Sequence, residues 1–279
     1  MKFLFDIGGS KTRVSATEDG SSFAEPVIEK TPDSVEDGVE MVRNIINDIS
    51  QGSSIDGLWG GITGVWNADR SSLVHSPNMK GWVGKPVREM FEKALSAPMT
   101  VENDADVVGL GEVHYGAGVG SKICVYITIS TGVGGARLVD GRIDRATVGF
   151  EPGHHILNRD LLDPSSSTPV YESTFEGHVS GTALKRRLGV DPVEVSDDAV
   201  WEELAFQSAV GIYNSILFWS PDTVVVGGSM VVGNPDIPID RIRHHIERLG
   251  SFLPVLPEIK RAELADVGGI YGALALSNQ

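Results

Sequence analysis

The stretch FLFDIGGSKTRVSAT at residues 3–17 decides the fold prediction, because it joins an apolar run, a glycine pair and a second strand-like run. Residues 3–7 predict a buried strand, residues 8–10 a tight turn, and residues 12–17 the returning strand. Glycines at such a tip leave main-chain N–H groups accessible to a phosphate chain. The stretch therefore predicts a hairpin whose tip either binds phosphate or is an ordinary β-turn.

Similar segments recur later in the chain. Residues 122–129 predict a long buried strand, residues 130–135 a second glycine-rich turn, and residues 136–139 another strand. A third glycine pair, Gly227 and Gly228, follows the predicted strand 223–226. The likeness of the two openings suggests a duplicated unit, and two facing tips would hold a phosphate chain from both sides. The alternative of plain hairpin turns becomes weaker when three such sites occur together.

Length, charge and cysteine content narrow the function classes. A chain of 279 residues predicts two domains with a cleft between them. The formal charge of −15 disfavours nucleic acid and anionic membrane surfaces as partners. Asp6 interrupts the first apolar run, which argues against a signal peptide, and no apolar stretch is long enough for a membrane span, so a cytoplasmic location is expected. The single cysteine, Cys124, lies in an apolar run and is expected in the core.

The remaining periodic segments predict an alternation of helices and strands. We expect helices at residues 32–49, 86–95, 201–219 and 240–249 and from about 266, strands at 57–62 and 99–102, and a hinge at 116–120. Asn103 is placed to cap a helix that begins at Asp104. Two other nucleotide-binding patterns fit poorly. The GxGxxG pattern should open a helix, but both early glycine clusters are followed by strand-like sequence, and the P-loop order is absent at residues 116–122.

Several motifs together resemble the ROK family of sugar kinases and repressors. They are DIGGSK at residues 6–11, SPN at 76–78 with GW at 81–82, ENDA at 102–105, ISTGVGG at 129–135, EPGH at 151–154, FEGHVSG at 175–181, VGGS at 226–229 and GGIYGA at 268–273. The resemblance spans the chain and implies an α/β, two-domain actin-like ATPase (ribonuclease H-like) fold with an interdomain cleft. It implies a small N-terminal domain at 1–117, a larger domain at 118–265, and a C-terminal helix at about 266–279 that packs back on the first domain.

The same resemblance implies roles for individual residues. Asp104 would be the catalytic base, and Asp6 would bind the Mg²⁺ that accompanies ATP, through water. The residues implied to bind the sugar are Gly64, Asn78, Asn103, Glu151, His154 and Glu176. The residues implied to bind ATP are Gly8, Gly9, Ser10, Lys11, Thr131, Gly132, Gly227 and Gly228.

Elementary chemistry agrees with these roles. An alcohol is a poor nucleophile, and a carboxylate within hydrogen-bond reach can orient it and take its proton. Asp104 would lie at a helix N-terminus, where a negative charge is favoured by roughly 0.3–1 kcal/mol, so its pKa is expected to be low. Asp6 would end a buried strand, where an acid needs a nearby cation, and Mg²⁺ would supply one.

The chain departs from the family pattern in one segment. Many ROK proteins bind a structural zinc through a histidine and a CxCGxxGC cluster, but residues 155–174 contain no cysteine. We therefore expect no zinc site, and a metal held by other ligands stays open. Family repressors also carry a helix-turn-helix before the first strand, whereas this chain starts directly with that strand, so DNA binding is not expected.

Three function classes follow from these observations. The leading hypothesis is ATP-dependent phosphorylation of a free hexose, with glucose at its 6-hydroxyl first and N-acetylhexosamines (GlcNAc or ManNAc) and fructose as rivals. A sugar-sensing protein that does not turn over is the second, although it has no need of Asp104 as a base. An actin-like assembly ATPase is the third, but it leaves Asn78, Glu151 and His154 unexplained. A homodimer is expected from the family resemblance, and the sugar and the phosphate donor stay open.

Overall fold

The computed structural model describes residues 1–162 and 170–279 of the chain. The chain divides into two compact units. The first unit comprises Met1–Tyr115, Arg145–Gly149 and Asp266–Gln279, and the second comprises Gly116–Asp144 and Phe150–Ala265. Each unit contains one five-stranded sheet with helices packed against it.

The first unit is built on a mixed sheet with the strand order β3-β2-β1-β4-β7. Its elements are β1 (Lys2–Ile7), β2 (Lys11–Thr17), β3 (Val27–Lys30), α1 (Val35–Ser50), β4 (Gly57–Ile62), β5 (Val65–Trp66), β6 (Leu73–His75), α2 (Val87–Leu95), β7 (Met99–Asn103) and α3 (Asp104–Tyr115). Strands β1, β4 and β7 are parallel, β2 pairs antiparallel with β1, and β3 pairs antiparallel with β2. The apolar side chains of β1 are at most 1% exposed, which explains why this run occupies the centre of the sheet.

The predicted hairpin at residues 3–17 is confirmed by the pairing of β1 with β2. Helix α1 begins at Val35 and not at Pro32, because the hydroxyl of Ser34 accepts a hydrogen bond from the main-chain N–H of Asp37 and caps the helix there. Strand β3 was not predicted, since all four of its residues are exposed and it lacks an apolar face. The short strands β5 and β6 form a separate two-stranded sheet within a segment predicted as a polar loop.

The second unit has a sheet with the order β10-β9-β8-β11-β12. Its elements are β8 (Ile123–Ile129), β9 (Val133–Val139), β10 (Arg142–Ile143), α4 (Phe175–Val179), α5 (Gly181–Leu188), α6 (Asp198–Trp219), β11 (Thr223–Gly227), α7 (Ser229–Val232), α8 (Ile239–Leu249) and β12 (Glu258–Arg261). The sheet pairs β8, β11 and β12 in parallel and β9 and β10 antiparallel. Strand order and directions therefore repeat those of the first unit, as the suggested duplication requires. Cys124 is buried in β8, as expected.

The predicted glycine-rich turn at residues 130–135 is shorter than expected, because β9 already begins at Val133. Gly135 belongs to the strand, and a Cβ there would lie 2.7 Å from both the Tyr126 carbonyl oxygen and the Pro152 side chain. This glycine therefore serves close packing and does not form a turn.

Helix α9 (Gly268–Leu276) belongs to the first unit, where it packs against α3 and β4. Its Ile270, Ala273 and Leu274 form a buried cluster with Leu4 and Val107. It begins two residues later than expected, after a 3₁₀ turn at Ala265–Val267. Within residues 1–162 and 170–279, no helix has the length and apolar character needed to cross a lipid bilayer.

Candidate active site

Three parallel strands of the first unit end at the same edge of their sheet. Ile7 pairs with Ile62, and Ile62 pairs with Asn103, so the segments that follow β1, β4 and β7 begin side by side. Ligands of open α/β sheets bind beyond the carboxyl ends of parallel strands. The predicted turn at 8–10, Gly64 and Asp104 all lie at this edge, and the topology therefore groups residues that the sequence places far apart.

Asp104 is the first residue of α3 and is only partly exposed. Its Oδ1 accepts a hydrogen bond from the main-chain N–H of Ala105 at 3.0 Å, and the hydroxyl of Thr63 donates a second hydrogen bond to the carboxylate. Burial nevertheless raises the pKa of Asp104 above its ordinary value. The expectation of a low pKa was therefore wrong, because desolvation outweighs the hydrogen bonds that favour the ionised carboxylate.

Asn103 holds the two segments beside Asp104 together. Its Oδ1 accepts from the Ala105 N–H at 2.8 Å, which confirms the predicted cap, and its Nδ2 donates to the carbonyl oxygen of Gly64 at 2.9 Å. Gly64 adopts a positive φ of 127°, and a Cβ there would lie 2.9 Å from the carbonyl oxygen of His75. A glycine is therefore required for the chain to pass between β4 and β5 at this point.

Asp6 pairs with Arg13, a residue that sequence reasoning did not assign to the site. The guanidinium lies 3.3 Å from the Asp6 carboxylate, and both side chains are about 15% exposed or less. Burial and, to a smaller extent, the nearby Asp104 carboxylate raise the pKa of Asp6 to about 6 despite this pair. Arg13 therefore supplies part of the positive charge that Asp6 needs, which the sequence analysis assigned to Mg²⁺ alone. The signal was present in the hairpin register, because Asp6 faces Arg13 across β1 and β2.

The first glycine turn is anchored by main-chain and hydroxyl contacts. The Gly8 N–H donates to the Lys11 carbonyl oxygen at 2.9 Å, and the Gly8 carbonyl accepts from the hydroxyl of Thr31 at 2.7 Å. A Cβ at Gly9 would lie 2.7 Å from the Cβ of Asn78, so the glycine allows Asn78 to approach the turn. Ser10, Lys11 and Asn78 are exposed, and the structure brings Asn78, a predicted sugar ligand, to a predicted phosphate turn.

The second unit groups its glycine segments in the same way, at the ends of β8 and β11. The Ser130 N–H donates to the Gly132 carbonyl at 2.8 Å and closes the turn that contains Thr131, and the Gly181 N–H donates to the Ser130 carbonyl at 2.7 Å. Gly228 has a positive φ of 86°, and a Cβ there would overlap the main chain of Ile129. Gly227 lies beside the Tyr126 hydroxyl. The turn at residues 130–132, the glycine pair at 227–228 and the start of α5 therefore lie close together.

The predicted sugar ligands of the second unit lie around the start of β9. Residues Pro152–His154 form a 3₁₀ turn that leaves Glu151 partly buried and His154 exposed, and Gly153 packs directly on the Val133 carbonyl. Glu176, near the start of α4, accepts a hydrogen bond at Oε2 from the Val133 N–H at 2.7 Å. The main chain of Val133 therefore lies between the two predicted sugar-binding segments.

Residues 155–174, which lack the cysteine cluster of the family, are held by main-chain contacts where the structure describes them. Leu157 and Asn158 both donate to the Ser173 carbonyl, and the Phe175 N–H donates to the carbonyl of His155 at 2.8 Å. The ring of His155 hydrogen-bonds the main chain of Gly211, and burial lowers its pKa. In the part of the chain that the structure describes, no group of three or more His, Cys, Asp or Glu residues could hold a metal ion. Residues 163–169 of this segment lie outside the described residues.

Comparisons with known proteins agree with this geometry. The model of the ROK family matches residues 4–279. A glucokinase from Streptomyces coelicolor is 25% identical over 98% of this chain and 96% of its own length, and a fructokinase from Zymomonas mobilis is 29% identical over 70% and 67%. The crystal structure of a ROK hexokinase from Thermus thermophilus superposes with a TM-score of 0.81 at 25% identity, covering 99% of this chain and 97% of that one. The expected actin-like ATPase fold is thereby confirmed, and the chain belongs to the ROK family.

Proposed function

We propose that this protein is an ATP-dependent sugar kinase that phosphorylates a free hexose, glucose at its 6-hydroxyl, with Asp104 as the general base. The observation that carries the proposal is the environment of Asp104. Its carboxylate lies beyond the end of β7, is partly buried and has a raised pKa, and Asp104 follows Asn103, whose amide binds the Gly64 carbonyl oxygen. Relatives named glucokinase and fructokinase support a phosphoryl transfer to a sugar.

The chemistry asks one carboxylate to orient the sugar hydroxyl and to take its proton as the phosphoryl group transfers. A base is most effective when its pKa is near the working pH, and burial moves the pKa of Asp104 in that direction. The Thr63 and Ala105 donors keep the carboxylate in a defined orientation. Asp104 therefore contributes both position and an increased basicity.

The other assignments complete this proposal. Sugar hydroxyls would be bound by Asn78, Asn103, Glu151, His154 and Glu176 with Gly64, and the ATP phosphates by main-chain N–H groups of the glycine segments at 8–11, 131–132 and 227–228. Asp6 suits the Mg²⁺ that accompanies ATP, because its pKa stays raised to about 6 even beside Arg13, and a second cation would be favourable there. The metal would neutralise the charge of the phosphates.

The decisive test is Asp104→Asn in a coupled assay of ADP release with glucose and MgATP. We expect the variant to fold and to bind sugar, while phosphoryl transfer falls by about three orders of magnitude or more. Asp48→Asn, which replaces an exposed acid of α1, is the matched control and should keep full activity. Unchanged turnover in Asp104→Asn would refute its role as the base.

Substrate choice is tested by a panel of sugars in the same assay. GlcNAc, ManNAc and fructose are the rivals of glucose. Fructose is included because one relative is named fructokinase. A sensor that binds sugar or nucleotide without turnover would show binding in calorimetry and no ADP release with any sugar. The expected homodimer is tested by light scattering of the purified protein.

A further inference from the structure

We propose that Thr63 is a positioning residue that holds the carboxylate of Asp104 in its reactive orientation. The inference rests on the proposed function of Asp104. Thr63 directly follows β4, and Asp104 directly follows β7. Because Ile62 pairs with Asn103 in parallel register, the next residue of each strand lies beside the other.

The main chain around Thr63 is held from several directions. Its N–H donates to the carbonyl oxygen of Ile7 at 3.0 Å, and its carbonyl accepts from the Ser76 hydroxyl at 3.4 Å. The next residue, Gly64, accepts the Asn103 amide at 2.9 Å. A β-branched side chain on a fixed backbone has few rotamers. The hydroxyl of Thr63 is therefore presented to Asp104 at low entropic cost.

The contact has two consequences for the carboxylate. A hydroxyl that donates to it fixes its rotation, and the Ala105 N–H binds Oδ1, so the orientation toward a substrate is defined. A hydrogen bond to the charged form also favours ionisation, which opposes the effect of burial. Thr63 would thus favour the ionised form of the base, against the effect of burial.

Other charges act on Asp104 and are unchanged by a substitution at Thr63. Asp6 on β1 interacts electrostatically with Asp104, and Asp6 is itself paired with Arg13, which also lies 3.9 Å from Asp266. Asp106 is buried on the same helix, α3. A shift in the titration of Asp104 after replacement of Thr63 would therefore report the lost hydroxyl.

The experiment compares Thr63→Val, Thr63→Ser and the control Thr100→Val, which lies exposed on β7. We expect Thr63→Val to lose about tenfold in kcat with the sugar KM changed less than about threefold, since one hydrogen bond to a charged group is removed. The acid limb of its pH profile should move to higher pH by about one unit, because the carboxylate loses a donor. Thr63→Ser should restore both values, and Thr100→Val should match the wild type.

Carboxyl ¹³C NMR of Asp104 in the protein without ligands gives a second readout that needs no turnover. The expected result is a higher pKa in Thr63→Val than in wild type and Thr63→Ser. If Thr63→Val does not fold, Thr63→Ala decides in the same titration. If Thr63→Val had the pH profile of the wild type and an unchanged Asp104 titration, the role of Thr63 would be overturned. If the wild-type protein itself phosphorylated no sugar, the proposed function would fail, and the titration would still report on the contact.

Discussion

The carboxylate of Glu176 accepts a hydrogen bond from the main-chain N–H of Val133 at 2.7 Å, and a Cβ at Gly132 would lie 2.6 Å from the same oxygen. An acid proposed to bind sugar therefore also supports the turn proposed to bind ATP phosphates. If sugar binding displaces this carboxylate, the turn that it contacts would move with it. Sugar and nucleotide would then change each other's affinity by the same factor.

Removing this contact should weaken nucleotide binding even though Glu176 is not proposed to touch ATP. We expect Glu176→Ala to bind a non-hydrolysable ATP analogue about fivefold more weakly in the absence of sugar, because the turn loses one anchoring hydrogen bond. Glu176→Gln keeps an acceptor and should lose less. Calorimetry measures both, with Glu172→Gln as a control at a neighbouring partly exposed acid. Equal affinity in Glu176→Ala and wild type would contradict the coupling.

The pair of Asp6 and Arg13 predicts an unusual titration. In the protein without nucleotide or Mg²⁺, the carboxyl of Asp6 should titrate near its raised pKa of about 6. Arg13→Gln removes the opposing positive charge, so the pKa should rise further. Carboxyl ¹³C NMR checks both values. Asp19 provides an internal reference, because hydrogen bonds from Ser21 and Ser22 lower its pKa to about 2. A midpoint of Asp6 near 4 in wild type would count against the burial described for this site.

Gly228 should tolerate no side chain. Both Gly228 and Gly189 have positive φ, at 86° and 75°, but a Cβ at Gly228 would overlap the main chain of Ile129, whereas Gly189 faces open space. Gly189→Ala should cost about 1–2 kcal/mol from the backbone conformation alone. Gly228→Ala should cost roughly 1–3 kcal/mol more from the overlap and should weaken binding of the ATP analogue. Urea unfolding of the two variants measures the difference, and equal losses would show that the close approach to Ile129 has no energetic consequence.

Two half-buried histidines of the second unit should make stability depend on pH. Burial lowers the pKa of His155, and burial together with Arg187 lowers the pKa of His178. The unfolded chain therefore binds protons more readily, so the stability contributed by the neutral rings is present above the ordinary histidine pKa of about 6.5 and is lost as the pH falls below it. Urea unfolding between about pH 7.5 and 5.5 should show a smaller loss in His155→Gln and His178→Gln than in wild type. His75→Gln, at an exposed position, should leave the pH dependence unchanged.

The features of this site that the sequence predicts are those whose determining residues lie close together in the chain. The hairpin at residues 3–17 and the cap at Asn103 were predictable, because apolar alternation, glycines and a capping residue lie within a few positions of each other. The contact of Thr63 with Asp104 was not, since it joins residues 41 positions apart across a strand pairing whose register the sequence does not state. The raised pKa of Asp104 was missed for a related reason, because desolvation depends on how distant segments pack.

The start of β9 could not be predicted either, because it depends on close packing. The glycines at 134 and 135 resemble turn residues in sequence, but they belong to β9, and Gly135 leaves space for Pro152. A glycine that admits a neighbour cannot be distinguished by sequence from a glycine that bends the chain. The strand start at Val133 therefore became visible only in three dimensions.

The position of α9 in the chain has a consequence for biosynthesis. Leu4 and Val107 acquire their packing partners Ile270, Ala273 and Leu274 only from this helix, and residues 116–144 and 150–265 of the other unit precede it. A ribosome releases the chain from its N-terminus, so the second unit can emerge in full while the first still lacks part of its interior. The unit that is synthesised first is therefore the last to be completed.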